Sequence, residues 1–323
     1  MKKIKKILKF FFHSIYHIIF RNKILIDELK NNNSILKYQL EYMKHHFDIT
    51  QMKPATGWLR EYQLKELDFA NELITLFNSY EIKPFFDAGS LLGAIRHKGF
   101  IPFDDDIDIG LIRSDFEKLI EIAKKQFVWI NTEEEFKISI FELCDIAISQ
   151  HKNEYVFIRT PFCIHVYKGT SLRDSLNCEF FPFDYVNENV SEDEFSEFIK
   201  QYKKTFTINQ PWSLVFNSYK KLLEEETVFS KAETSIITPG PGHYAFTQYN
   251  FLGFRRKEDL FPLSSLIFEG MSVPVPHNPE NFIEKNYSSW KDFPKDVGIS
   301  HSLEVLNGYF ESKGQAIPYK EIY

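Results

Sequence analysis

The chain has 323 residues, 43% hydrophobic and 16% aromatic, with 33 phenylalanines; it can fill a sizeable core and is not disordered. Only 13 glycines and 14 prolines exclude a collagen-like or low-complexity chain, and a net charge of −6 argues against a general nucleic-acid binder. Three widely spaced cysteines (Cys144, Cys163 and Cys178) form no CxxC pair, so neither a zinc site nor a disulfide framework is signalled and buried free thiols in the cytosol are expected.

Residues 1–23 set Lys2, Lys3, Lys5, Lys6, Lys9, Arg21 and Lys23 around Ile4, Ile7, Leu8, Phe11, Ile15, Ile18 and Ile19. The apolar spacing of three and four describes a basic amphipathic helix. Lys9, His13 and His17 interrupt it well short of the ~20 apolar residues of a membrane span, and no small-residue cleavage site follows Phe20. Such a helix either lies in the membrane interface with lysines on anionic headgroups, or packs on protein. The expectation is peripheral attachment to the inner face of the cytoplasmic membrane. Residues 26–47 then carry a short heptad (Ile26, Asn33, Leu40, Phe47; Leu29, Leu36, Met43) with a lone Asn of the kind that fixes register. Self-association through 26–47 and packing within the monomer both stay open. Thr56-Gly57 breaks the pattern, giving a helical segment 1–56 and a folded domain 57–323.

From Tyr62 to Tyr80 the apolar residues Leu64, Leu67, Ala70, Ile74 and Phe77 recur with helical spacing, until Lys83-Pro84 stops the helix. Phe85–Ala88 reads as a short buried strand, Gly89-Ser90 as a turn, and Leu91–Arg96 as a helix. Ser114 to Glu117 has capping-box spacing ahead of an amphipathic helix, and so has Ser191 to Glu194. Strands are expected around 137–143, 154–158, 163–167, 179–185, 243–252 and 266–276, and helices around 217–226 and 280–290. Pro239–His243 reads as a rigid turn, and Tyr244, Phe246, Tyr249, Phe251 and Phe254 as core. A choline cage would need their rings to converge.

The chemistry concentrates at Asp104-Asp105-Asp106-Ile107-Asp108-Ile109. On a strand, residues i and i+2 share a face, so Asp106 and Asp108 project together while the isoleucines enter the core. Carboxylates this close repel unless a cation lies between them, and hard oxygen ligands suit Mg²⁺ or Mn²⁺. Gly89-Ser90, placed before a helix, would offer backbone N–H groups to a phosphate.

The stretch from Phe86 to Gly110, Phe-Asp-Ala-Gly-Ser-Leu-Leu-Gly-Ala-Ile-Arg-His-Lys-Gly-Phe-Ile-Pro-Phe-Asp-Asp-Asp-Ile-Asp-Ile-Gly, closely resembles the LicD family of phosphotransferases, to which the fukutin-type enzymes are related. Leu59-Arg60 and Gln63-Leu64, Glu179–Asp184, Asp259–Leu263, Phe268–Pro276, Asn278–Phe282 and Tyr287 extend the likeness over about 57–300. The resemblance implies an α+β, nucleotidyltransferase-like mixed sheet flanked by helices, with three carboxylates at one end. Asp106 and Asp108 take two of these places. The third falls on Glu179, where the family usually has aspartate, with Asp184 as the fallback. Asp104 and Asp105 stay open between facing the metal and lying behind it. Gly89, Ser90, Arg96 and Lys98 are the substrate-binding candidates, with the bland alternatives of a loop residue for His97 and a solvated charge for Lys98.

The implied activity is metal-dependent transfer of phosphocholine, or a related phospho-alcohol, from a CDP-linked donor to a cell-surface glycan or lipid-linked glycan. Two rivals remain: a nucleotidyltransferase acting on sugar or protein, and a non-catalytic membrane scaffold. The paired aspartates count against the scaffold.

Overall fold

The computed structural model describes residues 2–133, 139–206, 211–246, 253–287, 290–291 and 301–315. The chain forms two compact units, Met1–Ile49 with Lys291–Asp296, and Thr50–Trp290 with Val297–Tyr323. In the first, one long helix, α1 (Lys2–His46), spans both the basic segment and the heptad. Leu29 and Leu36 of the heptad are exposed. Among the described residues no helix is long and apolar enough to cross a membrane.

In the second unit Leu67, Ala70, Ile74 and Phe77 of the expected stripe lie buried on α2 (Gly57–Ser79), but Leu64 is exposed and Leu59 extends the buried face instead. The helix starts earlier than the repeat from Tyr62 suggests. A short strand, β1 (Phe85–Phe86), leads into α3 (Ala88–Arg96), and β2 (Asp108–Ile112) runs directly into α4 (Arg113–Gln126). Then come β3 (Val128–Asn131), α5 (Ile140–Gln150), β4 (Val156–Arg159), β5 (Ile164–Lys168) and the long β6 (Leu176–Val186). Two helices, α6 (Glu192–Lys204) and α7 (Trp212–Glu225), precede β7 (Phe229–Ser230), β8 (Ile236–Pro239), α8 (Pro241–Phe246), β9 (Arg255–Arg256) and α9 (Lys257–Leu260). The hairpin β10 (Ser264–Phe268) and β11 (Met271–Val275), then α10 (Pro279–Glu284) and α11 (His301–Ser312), complete it.

The main sheet is mixed, as expected, with order β1-β2-β6-β5-β4-β3; β7 and β8 pair with β6, and β9 with β8. The pairs β2–β6 and β3–β4 are parallel, the others antiparallel. Alternation along β2 and β6 separates two faces. Ile109, Leu111 and Phe180 face α2 and α4, where Phe77 meets Phe180 edge-on at 5.0 Å. Asp108, Gly110, Glu179, Phe181 and Phe183 occupy the opposite face, and there Phe183 packs on Phe85 and on Phe282 of α10. Gly110 has no space for a side chain, since a Cβ would stand 2.3 Å from the Phe85 ring.

Several local expectations change. Residues 140–143 are helical, because Ser139 caps α5 by accepting the Glu142 N–H at 3.2 Å; residues 137 and 138 lie outside the described residues. The Ser114 capping box does not form. Arg113 already opens α4 straight from β2, and Glu117 pairs back to Arg113 at 3.3 Å. The Ser191–Glu194 box does form. Pro239–His243 is not one rigid turn: Pro239 ends β8, Pro241–Phe246 form α8, so residues 243–246 are helical and not a strand, and Gly240 between them donates its N–H to the Pro182 carbonyl. Tyr244 and Phe254 are core, as expected; Tyr249 and Phe251 lie outside the described residues, and so does the Phe246 side chain. The run 266–276 is a hairpin turning at Glu269-Gly270, both with positive φ. All three cysteines are buried free thiols.

Candidate active site

The parallel register of β2 and β6 sets Asp108 directly beside Glu179. The strand begins at Asp108, so Asp106 sits in the loop before it, though the Glu179 N–H still bonds the Ile107 carbonyl at 3.3 Å. Carboxylate oxygens of Asp104, Asp105 and Asp106 lie within 4.8 Å of one another, which places the two undecided aspartates in the cluster with Asp106. Burial pushes Asp106 well above the usual carboxylate range, and the Asp108 charge adds to this; Asp108 is raised by burial and then by Glu179. Burial and Asp105 hold Asp104 up at about 7.

The register sets Glu179, and not the fallback Asp184, beside Asp108. Five residues along β6, Asp184 takes a bidentate pair of bonds from Arg113, at 2.6 Å each, at the opposite end of the β2–β6 ladder. Glu179 meets His165 instead, with Nδ1 3.2 Å from Oε1, and accepts from Asn177 Nδ2 at 3.4 Å. Burial alone would raise Glu179, but His165 and Asn177 bring it below its ordinary value.

Gly89 and Ser90 differ from expectation. They form the first turn of α3 itself, after Asp87 at the N-cap, and both are engaged by Asp108. The Gly89 N–H bonds the Asp108 carboxylate, and Ser90 Oγ accepts the Asp108 N–H at 2.9 Å. A Cβ on Gly89 would stand 2.8 Å from Asp104 Oδ2, so glycine is what lets the helix end approach the acids. The positive end of the helix thus faces carboxylates, which it stabilises. Arg96 is buried, donating Nε to His97 at 2.9 Å and Nη1 to the Trp290 carbonyl at 3.0 Å, and its charge acts on Asp104. Burial, then Arg96, lowers His97 to about 4. Lys98 is exposed, with positive φ.

Residues the sequence reading passed over complete the site. Glu66 of α2 is fully buried, accepts the Asn177 N–H at 3.3 Å with Oε1, and has no partner for Oε2; burial raises it strongly. Asp87 is buried, with Oδ1 unpartnered, and acts on Asp108. The signal for Glu66 was a charged residue within the apolar stripe of α2; that for Asp87 was an acid at a helix N-cap. The loop carrying the aspartates is tied down from α2 and the β10–β11 turn. Arg60 pairs with Glu269, which also accepts the Phe100 N–H at 3.0 Å, and Gln63 Nε2 donates to the Asp104 carbonyl at 2.8 Å. A groove of about 1490 Å³, lined by Asp115, Tyr185 and Arg256 among others, adjoins the Asp184 end of the sheet and not the acidic cluster.

Residues 81–217 match the LicD/FKTN/FKRP nucleotidyltransferase domain family. The lipopolysaccharide cholinephosphotransferase LicD of Haemophilus influenzae is 42% identical over 269 residues, covering 80% of this chain and 89% of that protein. Uncharacterized proteins of Rickettsia prowazekii and Rickettsia typhi are 34% and 37% identical over 34% and 27% of this chain, and over 38% and 29% of their own lengths.

Proposed function

The chain belongs to the LicD family, and on that premise we propose that it is a metal-dependent phosphotransferase moving phosphocholine, or a related phospho-alcohol, from a CDP-linked donor to a cell-surface glycan such as lipopolysaccharide, capsule or teichoic acid. The observation that carries the reading is the half-buried acidic cluster in the family-matched segment, whose aspartates raise one another. Such a donor set fits Mg²⁺ or Mn²⁺, because a hard cation relieves the repulsion and accepts oxygen ligands. Asp106, Asp108 and Glu179 would hold the ion, with Asp104 and Asp105 beside them. When bound, it supplies positive charge to the donor's pyrophosphate and to the departing CMP.

The chain's own groups do the rest. Gly89 and Ser90 hold Asp108 in place from both its carboxylate and its backbone. Arg96 adds positive charge beside Asp104, and exposed Lys98 is the cation left to meet a donor phosphate. Glu179 orients the acceptor hydroxyl or takes its proton. The basic first helix places the enzyme against the inner membrane face, where a lipid-linked acceptor is presented, and residues 26–47 supply a surface for self-association.

The test is CMP release from a panel of CDP-alcohols with Mg²⁺ and glycan acceptor, in the wild type and Asp106→Ala. Release that depends on Asp106 and prefers one donor bears the reading out. Incorporation of CMP into the acceptor would instead favour nucleotidyl transfer, the second reading, which the description of the matched domain supports. A protein starting at Gly57 is expected to lose binding to anionic liposomes; retained sedimentation would remove the membrane role of the first helix.

A further inference from the structure

Glu179 is one methylene longer than the aspartates beside it, so one more torsion must be fixed before its carboxylate has a defined position. The neighbouring strand β5 supplies the restraint. Antiparallel register sets His165 directly opposite Glu179, on the same face of the sheet. His165 Nδ1 is 3.2 Å from Glu179 Oε1, and the Asn177 amide reaches that same oxygen. On the far side of the ring, Cys163 Sγ lies 3.2 Å from Nε2, and Thr160 Oγ1 in turn stands 3.5 Å from Sγ. The Tyr167 ring stacks beside the imidazole at 6.0 Å with an interplanar angle of 14°, and Phe162 meets it edge-on at 6.1 Å. The imidazole is therefore packed between rings and engaged at Nε2, while its buried Nδ1 makes no hydrogen bond among the described residues and lies at ion-pair distance from Oε1. Among the described residues, every hydrogen bond and ion pair to the Glu179 carboxylate ends on Oε1.

We propose that His165 is a positioning residue for the metal centre: fixed from behind by Cys163, it pins Glu179 through Oε1 and leaves Oε2 as the oxygen that binds the ion. This rests on the reading that Asp106, Asp108 and Glu179 hold a divalent cation. Partners of metal-binding carboxylates orient them, and their loss commonly costs about 10–100-fold in metal affinity.

The two nitrogens of the ring give the test its resolution. An asparagine amide nitrogen falls near the place of Nδ1 and keeps the contact to Glu179, whereas a glutamine reaches toward the place of Nε2 and Cys163. Mn²⁺ affinity is measured by electron paramagnetic resonance on the full-length chain, with cooperative thermal unfolding as the control for folding. His165→Ala and His165→Gln are expected to weaken Mn²⁺ binding at least about tenfold, and His165→Asn to stay within about threefold of the wild type. Should the alanine variant not fold, the asparagine and glutamine pair decides. Equal affinities in the wild type and His165→Gln overturn the proposal, as does equal weakening in both amide variants. Asp108→Asn separates the two levels. If it leaves Mn²⁺ binding unchanged, or the wild type binds none, the metal centre itself fails and the positioning role fails with it. If Asp108→Asn abolishes binding while His165→Gln does not, only the role of His165 falls.

Discussion

The two ends of β6 carry one acid each, half-buried Glu179 and buried Asp184, and put it to opposite use. Asp184 meets a guanidinium: Arg113 clasps it with two bonds, and although burial alone would lower Arg113, the adjoining carboxylate raises it well above its ordinary value. Glu179 faces His165, which brings it below its ordinary value, and stands beside other acids, where it helps to push Asp108 up. A carboxylate paired with arginine inside the fold is neutralised and serves architecture. Carboxylates gathered with one another are left with a repulsion that an ion can relieve, and that stored demand is what the proposed chemistry draws on.

Variants at the two ends should separate these roles. Asp108→Asn is expected to reduce transfer by about 10³-fold, while raising the melting temperature of the metal-free protein because one repelling charge is gone. A fall in that temperature would mean that Asp108 serves the fold as Asp184 does. Asp184→Ala should do the reverse. It strands a buried guanidinium, costing about 3–5 kcal/mol in denaturant unfolding, and leaves Mn²⁺ affinity unchanged in the protein that remains folded. A change in metal affinity comparable to that of Asp108→Asn would erase the distinction between the ends.

Ions and protons should act on the acidic end alone. Asp104 is held up at about 7, and Asp106 and Asp108 are also raised. Acids with a folded pKa above the unfolded value of about 4 stabilise fully below that value and lose the contribution as pH climbs through the folded pKa. Calorimetry of the metal-free protein should therefore show this contribution disappearing from pH about 4 to about 7. Mg²⁺ at about 100 times its Kd should return about 2.7 kcal/mol at neutral pH. A melting temperature at neutral pH that ignores Mg²⁺ would count against the metal centre. The smallest expected effect belongs to the tie behind the aspartate loop: Arg60→Ala removes a half-exposed pair with Glu269 and should cost about 1 kcal/mol. It should also lower metal affinity several-fold, because Glu269 and Gln63 hold the segment from Phe100 to Asp104.

Local pattern carried much of the molecule. The spacing of Leu67, Ala70, Ile74 and Phe77 is legible as α2, Ser191 and Glu194 as the start of α6, and the alternation of Asp106, Ile107, Asp108 and Ile109 as a strand, of which β2 takes up only Asp108 and Ile109. These are properties of a few consecutive residues, so period and capping chemistry suffice to read them. Where two local signals compete, the pattern misleads. Ser114 resembles a cap, but β2 delivers the chain at Arg113 already helical; residues 140–143 are apolar enough for a strand, but the Ser139 cap selects a helix.

What the sequence determined by itself is the acidic motif, the amphipathic helices and the family likeness, because each is written in neighbouring residues. Only the tertiary structure set Glu179 beside Asp108 and gave Asp184 to Arg113, brought Glu66 and Asp87 to the acids, and set His165 against Glu179. These choices follow from strand register across 71 positions of chain between Asp108 and Glu179, and from which charges burial leaves together. Register fixes the face and partner of every side chain on a strand at once, and no stretch of local sequence contains it.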